Sequence, residues 1–353
     1  RHPLGERDEL RRVEGLGEDV AGAAPHLHRV APLGGQAGAT VSVELVGKDL
    51  DGATTVTFDN PEITWLGTTK QSATQLQGQV RIGANAAPGL HFVRIQTPRG
   101  PSNTRLFNVN LFPGRNEIEP NNTPATAQRI ALQPQVLHGY MKGLADIDYF
   151  QFDAPAGARW VFDLQSIERG GFLECSLAIL DKDGRELAFN EDQDEYLETP
   201  RLTYTFPKSG TYTLKIDQYR GPQGTSCEEN CGYQLQISRL PVIWSAFPLG
   251  GSAGSKLKLK LQGEALESIQ ELRLTPVRGP EYARLTFPFS FPLHPQDPPK
   301  TEYKAKLNRH FEAEFQIPPD APTGLYKLWT NGTHGTAEGI SIEITAPGAR
   351  VID

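Results

Sequence analysis

What this sequence lacks most plainly is a cationic surface. Lysine and arginine number 35 against 42 aspartates and glutamates, a net charge of −7 over 353 residues. Nucleic-acid binding needs Lys and Arg clustered on one face, and no such stripe runs along the chain. Lys256, Lys258 and Lys260 alternate with Leu257, Leu259 and Leu261 and read as the solvent face of one strand. Long apolar runs are missing too. None approaches the roughly 20 residues of a membrane-spanning helix, so neither nucleic acid nor a membrane span is expected. Catalytic signatures are equally scarce. None of the eight histidines forms a His-Glu-x-x-His pair, no phosphate-binding glycine loop is present, and no nucleophile-elbow pattern is read. A non-catalytic role is therefore expected. Of only three cysteines, Cys227 and Cys231 flank a three-residue polar turn. A close pair in such a setting suggests a small disulfide in an oxidising compartment. An extracytoplasmic location (periplasmic, cell-surface or secreted) is expected on that ground. The loop it closes is short, so its entropic contribution is small. Zinc is disfavoured, because no second Cys/His pair at ligand spacing accompanies it. Cys175 sits in the strand-like stretch 173–180 and reads as a buried thiol.

What is present in quantity is turn chemistry: 35 glycines and 28 prolines among scattered Val, Ile, Thr, Tyr and Phe. That suits short strands joined by tight turns. An internal repeat organises them. The run from Pro32 to Gly38 (PLGGQAG) recurs from Pro248 to Gly254 (PLGGSAG). Each copy continues into an alternating strand, 41–45 or 257–261, and then a glycine-led segment, Gly47-Lys48-Asp49-Leu50 or Gly263-Glu264-Ala265-Leu266. Later, 82–90 (IGANAAPGL) parallels 317–325 (IPPDAPTGL), and an aromatic-rich strand follows each. Period-two alternation marks half-buried strands, and the punctuation predicts an immunoglobulin-like sandwich for each copy.

Between the copies lies a different unit, with strands predicted over 148–152, 159–165, 175–180, 202–206, 211–218 and 233–239. Asp181-Lys182-Asp183-Gly184 reads as a hairpin turn. The expected architecture is all-β: three tandem β-sandwich domains behind a short N-terminal leader. The expected bounds are a leader or docking arm over 1–28, immunoglobulin-like domains over 29–113 and 241–347, a jelly-roll-like domain over 114–240, and a tail over 348–353. The charged stretch 6–20 reads as a short exposed helix, weakened by Gly15 and Gly17.

The middle unit resembles the bacterial pre-peptidase C-terminal domain family. The residues that carry the likeness are Asn116-Glu117-Ile118-Glu119-Pro120-Asn121-Asn122-Thr123, then 127–130, Gly139, Asp146-Ile147-Asp148-Tyr149-Phe150, Asp181 to Gly184 and Gly210-Thr211-Tyr212. They span nearly all of the middle unit. The outer copies are similar to the IPT/TIG class of immunoglobulin-like domains. The whole arrangement is similar to large surface or secreted proteins of planctomycete-type bacteria. The resemblance implies a non-catalytic module that accompanies secreted proteases and other exported proteins. It also implies a calcium site, whose matching positions here are Glu117, Glu119, Asn121, Asn122, Asp146 and Asp148. The collagen-binding domains of clostridial collagenases are similar to the middle unit, but no collagen-contacting surface carries over, and collagen binding is not expected. Asn122 stands where the family pattern also takes Asp, which removes one negative charge and weakens the site.

The residue types are compatible with such a site. Calcium takes six to eight oxygens, and residues 117–122 place four oxygen-bearing side chains together. Alternation puts Asp146 and Asp148 on one face and Ile147 on the other. The same string also suits a solvated turn in which Asn and Asp cap backbone groups. Asp181 to Gly184 superficially resembles an EF-hand start but has Asp192 where that loop needs Glu, so a hairpin turn is preferred. The segment around Phe287, Phe289 and Phe291 alternates and offers an apolar ridge as a partner-contact candidate. Of the four tryptophans, Trp160 and Trp329 read as core, and Trp65 and Trp244 as edge positions. Partner classes are a protein or a cell-envelope component, with the chain a subunit of a larger assembly. An accessory substrate- or carbohydrate-binding region of a secreted hydrolase or protease is the alternative.

Overall fold

The computed structural model describes residues 24–143, 146–166, 173–191, 199–218, 231–276, 285–288, 310–332 and 334–349. Cys227, Phe289, Phe291 and residues 6–20 lie outside these. Among the described residues the fold is nearly all β, with six sheets and one 3-10 turn at Leu266–Ser268. The sheets share three separate apolar cores.

The first unit pairs its strands in the order His26–Ala31, Thr40–Lys48, Gln75–Ile82 and Ile63–Gln71. Its second sheet runs Gly34–Gln36, Arg105–Asn110, Gly89–Thr97 and Thr55–Phe58. Alternate residues Val43, Leu45, Leu76, Val80, Val93, Ile95 and Phe107 fill the space between. The leader was expected to reach residue 28. Instead the first strand begins at His26, because Leu27 is fully buried in this core.

The third unit repeats the pattern. Val242–Phe247, Lys256–Glu264 and His310–Gln316 form one sheet. Gly250–Ser252, Gly335–Thr345, Gly324–Gly332, Ile269–Pro276 and Leu285–Pro288 form the other. The two copies share their constraints. A Cβ on Gly47 would stand 2.1 Å from the His26 carbonyl oxygen, and one on Gly263 would stand 1.9 Å from that of Val242. Asp49 and Ala265 both adopt left-handed backbone, with φ of 56° and 54°. One difference is topological: Ile63–Gln71 pairs with Gln75–Ile82 in the first unit, whereas Leu285–Pro288, which holds Phe287, pairs with Ile269–Pro276. As expected of a solvent face, Lys256, Lys258 and Lys260 are exposed and pair across the strands with Glu314 and Glu312.

The middle unit has two five-stranded sheets. One runs Gly114–Asn116, Gln135–Tyr140, Gly232–Ser238, Arg159–Gln165, Arg201–Thr205. The other runs Gln128–Arg129, Asp148–Ala154, Gly210–Gln218, Cys175–Leu180, Glu186–Asn190. Phe150, Phe152, Phe162, Phe206, Leu164, Leu214 and Leu235 are fully buried between them. The turn at Asp181 is a hairpin: its carboxylate accepts the backbone N–H groups of Asp183 and Arg185, each at 2.9 Å. Trp160 and Trp329 are buried, Trp65 packs on the first core, and Trp244 stays exposed.

Candidate metal centre

The first strand of the middle unit, Gly114–Asn116, runs parallel to Gln135–Tyr140 and sets Asn116 opposite His138. The chain then bends across the entrance of the sandwich, with Glu117 N–H donating to the His138 carbonyl at 2.9 Å. Strand Asp148–Ala154 starts beside that bend: Tyr149 N–H donates to the Asn121 carbonyl at 3.1 Å. Residues 117–122 and 146–148 therefore meet at one end of the unit.

Glu119, Asp146 and Asp148 each offer a carboxylate oxygen, and the three oxygens lie within 4.8 Å of one another. Asp146 and Asp148 are buried. Asn121 is fully buried among them, its side-chain amide beside Glu119 Oε2 and Asp148 Oδ1. With its nitrogen toward the carboxylates, that amide donates to those atoms at 3.0 and 2.9 Å. The two orientations correspond to two chemical states. With no cation, carboxylates demand the NH2 end. A cation in their midst demands the oxygen.

The surrounding donors hold the carboxylates in place. Asn122 Nδ2 donates to Asp146 Oδ1 and Lys142 N–H to Asp146 Oδ2, both at 2.5 Å. Lys142 Nζ pairs with Glu119 Oε1 at 3.0 Å. The Tyr233 hydroxyl donates to Asp148 Oδ2 at 2.5 Å and to Glu117 Oε2 at 3.3 Å. Glu117 Oε1 also accepts the Tyr140 N–H at 2.7 Å. Burial, and then the neighbouring Asp148 carboxylate, push the Glu117 carboxyl up to about 9. Burial likewise raises Asp148 to about 6, partly offset by the Tyr233 hydroxyl. Two carboxyls that resist ionisation side by side are the pair a divalent cation would relieve.

The six candidate residues are thus neighbours, in two roles. Glu119, Asn121, Asp146 and Asp148 converge on one point. Glu117 and Asn122 stand behind them: Glu117 shares the Tyr233 hydroxyl with Asp148, and Asn122 donates to Asp146. The donor set is all oxygen, which suits a hard cation such as calcium, and calcium would supply charge neutralisation there. Tyr233 and Lys142 escaped the sequence reading. A signal for Tyr233 existed: it takes an inward position on the strand of Leu235 and Ile237, and a core hydroxyl needs a buried partner. Cys231 is disulfide-bonded, and Cys175 keeps a buried thiol.

The site faces a joint. A cleft of about 650 Å³ separates it from the first unit, with Arg29, Glu44 and Gln77 on one wall and Glu117, Glu119, Tyr140 and Lys142 on the other. Arg29 stacks over the Tyr140 ring at 4.7 Å. Leu33 covers Gly232, where a Cβ would come within 3.1 Å of Leu33 Cδ1. Asn108 Nδ2 donates to Gln234 Oε1 at 3.0 Å. On the far side, Arg159 pairs with Glu264 of the third unit at 3.1 Å.

One sequence expectation needs correction. Gly250-Gly251-Ser252-Ala253-Gly254 does spell the Gly-x-Ser-x-Gly pattern. An elbow needs a strand, a sharp turn and a helix. Here strand Gly250–Ser252 passes through a turn into strand Lys256–Glu264.

No protein-family model matches the chain. The chain is 32% identical over 100 residues to a probable subtilase-type serine protease of Deinococcus radiodurans, a match covering 28% of this chain and 14% of that protein. Among solved structures it is similar to PliG of Aeromonas hydrophila, a periplasmic inhibitor of g-type lysozyme, at 16% identity and a TM-score of 0.25, over 31% of this chain and 95% of that one. It is also similar to the adhesin InvE of Yersinia pseudotuberculosis, at 12% identity and a TM-score of 0.20, over 68% of this chain and 54% of that one. Scores this low carry no functional argument. No described helix is long and apolar enough to cross a membrane.

Proposed function

We propose that this chain is a non-catalytic, extracytoplasmic binding or scaffolding region whose middle unit, of the pre-peptidase C-terminal kind, holds calcium through Glu117, Glu119, Asn121, Asn122, Asp146 and Asp148. The observation that carries the reading is the meeting of three carboxylates within 4.8 Å, two of them buried, beside the fully buried side chain of Asn121. Unneutralised, such a group repels itself; a divalent ion removes the repulsion and takes the oxygens as ligands. The ion sits beside the cleft to the first unit, so its binding stiffens that joint. Three rigid sandwiches then present their loops to a protein or cell-envelope partner.

Calorimetric titration of calcium into the chelator-treated chain tests the site. One ion per chain is expected, with no binding in a Glu119→Ala, Asp146→Ala double variant. Absence of heat together with an unchanged melting temperature at saturating calcium would sink the reading.

The partial likeness to a subtilase-type protease favours a compatible second reading, that the chain is the accessory region of a secreted protease. Since the chain spans 14% of that relative's length, the reading is tested by whether a protease domain shares the polypeptide in its native envelope.

A further inference from the structure

The outer units correspond residue by residue at their joining ends. His26 pairs with Lys48 as Val242 pairs with Glu264, and a bulge falls between Leu27 and Arg29 as between Ile243 and Ser245. Gly34 pairs with Asn108 as Gly250 pairs with Glu343. Ala31 thus corresponds to Phe247, Leu33 to Leu249, Asn108 to Glu343 and Asn110 to Thr345.

Their surroundings differ sharply. Leu33, 2% exposed, is closed off by Gly232 and Tyr140 of the middle unit. Leu249 is 57% exposed, Phe247 53% and nearby Trp244 39%. Asn108 and Asn110 are buried, and Asn108 bonds the middle unit. Glu343 faces solvent and Thr345 is half-buried. The face on which the first unit seats its neighbour is therefore built twice, and the second copy stands open with larger apolar side chains.

We propose that this face of the third unit, formed by Phe247, Leu249, Glu343 and Thr345, is a docking seat for a further antiparallel β-sandwich unit following on the same polypeptide. The occupant is read from the first seat, which takes the unit that follows it directly in the chain. There strand Arg105–Asn110 leads through Leu111-Phe112-Pro113 into the strand that starts at Gly114. Strand Gly335–Thr345 leads likewise into Ala346-Pro347-Gly348. The differences specify the incoming surface. Phe247 in place of Ala31 calls for a deeper apolar socket than the small Ala31 side chain needs. Ser245 in place of Arg29 removes the cation that stacks on Tyr140, so an aromatic ring is not needed there. A seat of this size left in water would be an aggregation hazard.

The test compares amide hydrogen exchange of this chain with that of its gene's product extended through whatever follows Asp353. In the longer protein, exchange in strands Val242–Phe247 and Gly250–Ser252 is expected to slow by about ten-fold. That protection is expected to vanish in a Phe247→Ser, Leu249→Ser variant, whose changes fall on exposed side chains and spare the core. The proposal is overturned if no β-sandwich unit follows, or if one follows and exchange in these strands is unchanged.

Discussion

At the scale of single residues, the acidic cluster sets a pH dependence whose sign is fixed by the two raised carboxyls. Glu117 rises from 4.5 to about 9 and Asp148 from 3.8 to about 6. The folded, metal-free chain therefore keeps protons that the unfolded chain has already released. Its stability from these groups is full below about pH 4 and falls as pH climbs toward about 9. Calcium must displace those protons, so the rise in melting temperature on adding calcium is expected to grow over the same window. Paired melts in chelator and in calcium, at about pH 5, 7 and 8.5, check this; a gain that shrinks with pH would contradict it. Asn122→Asp puts a third carboxylate beside Asp146 and removes the amide that donates to it. Calcium affinity is expected to rise about ten-fold, since ligand charge tunes such sites, while the melt in chelator falls. Calorimetry and melting read the two effects separately.

At the scale of elements, much was legible. Strands 159–165 and 175–180 stand where alternation put them, because inward Phe162, Leu164, Leu177 and Ile179 leave the pattern one satisfactory register. The leader boundary was misread because Leu27 is flanked by His26 and His28, which hide a single buried position. Residues 117–122 and 146–148 were legible as one acidic group by resemblance. Their split into converging residues and supporting residues was not, because it depends on Tyr233, brought in by the strand Gly232–Ser238 far along the chain, and on Lys142, which reaches both Glu119 and Asp146 from the turn between them. The long-range element contact that matters most is at Gly139. A Cβ there would stand 2.0 Å from Tyr233 Cζ and 2.2 Å from its hydroxyl. Gly139→Ala is expected to push that ring off Asp148 and Glu117, lowering the middle unit's stability by roughly 2–3 kcal/mol and weakening calcium binding with it. A variant that melts normally and binds calcium normally would show that Tyr233 does not support the site.

For the whole molecule, contacts among the described residues join the units, and two of them make separable predictions. Leu33→Asp buries a charge against Gly232 and is expected to undock the first unit at a cost of roughly 2–4 kcal/mol while its own core survives. Small-angle scattering should then show a longer particle; unchanged dimensions would mean that the joint is held elsewhere. The Arg159–Glu264 pair is partly exposed, so Glu264→Ala is expected to cost at most about 1 kcal/mol, measured by chemical denaturation. The central claim is that a cation organises the end of the middle unit beside this joint, and a crystal structure grown in calcium tests it most directly. One ion is expected, bound by oxygens of Glu119, Asn121, Asp146 and Asp148 at about 2.3–2.6 Å, with the Asn121 oxygen turned inward. Density showing no ion, with the Asn121 amide nitrogen donating to Glu119 and Asp148 instead, would contradict it.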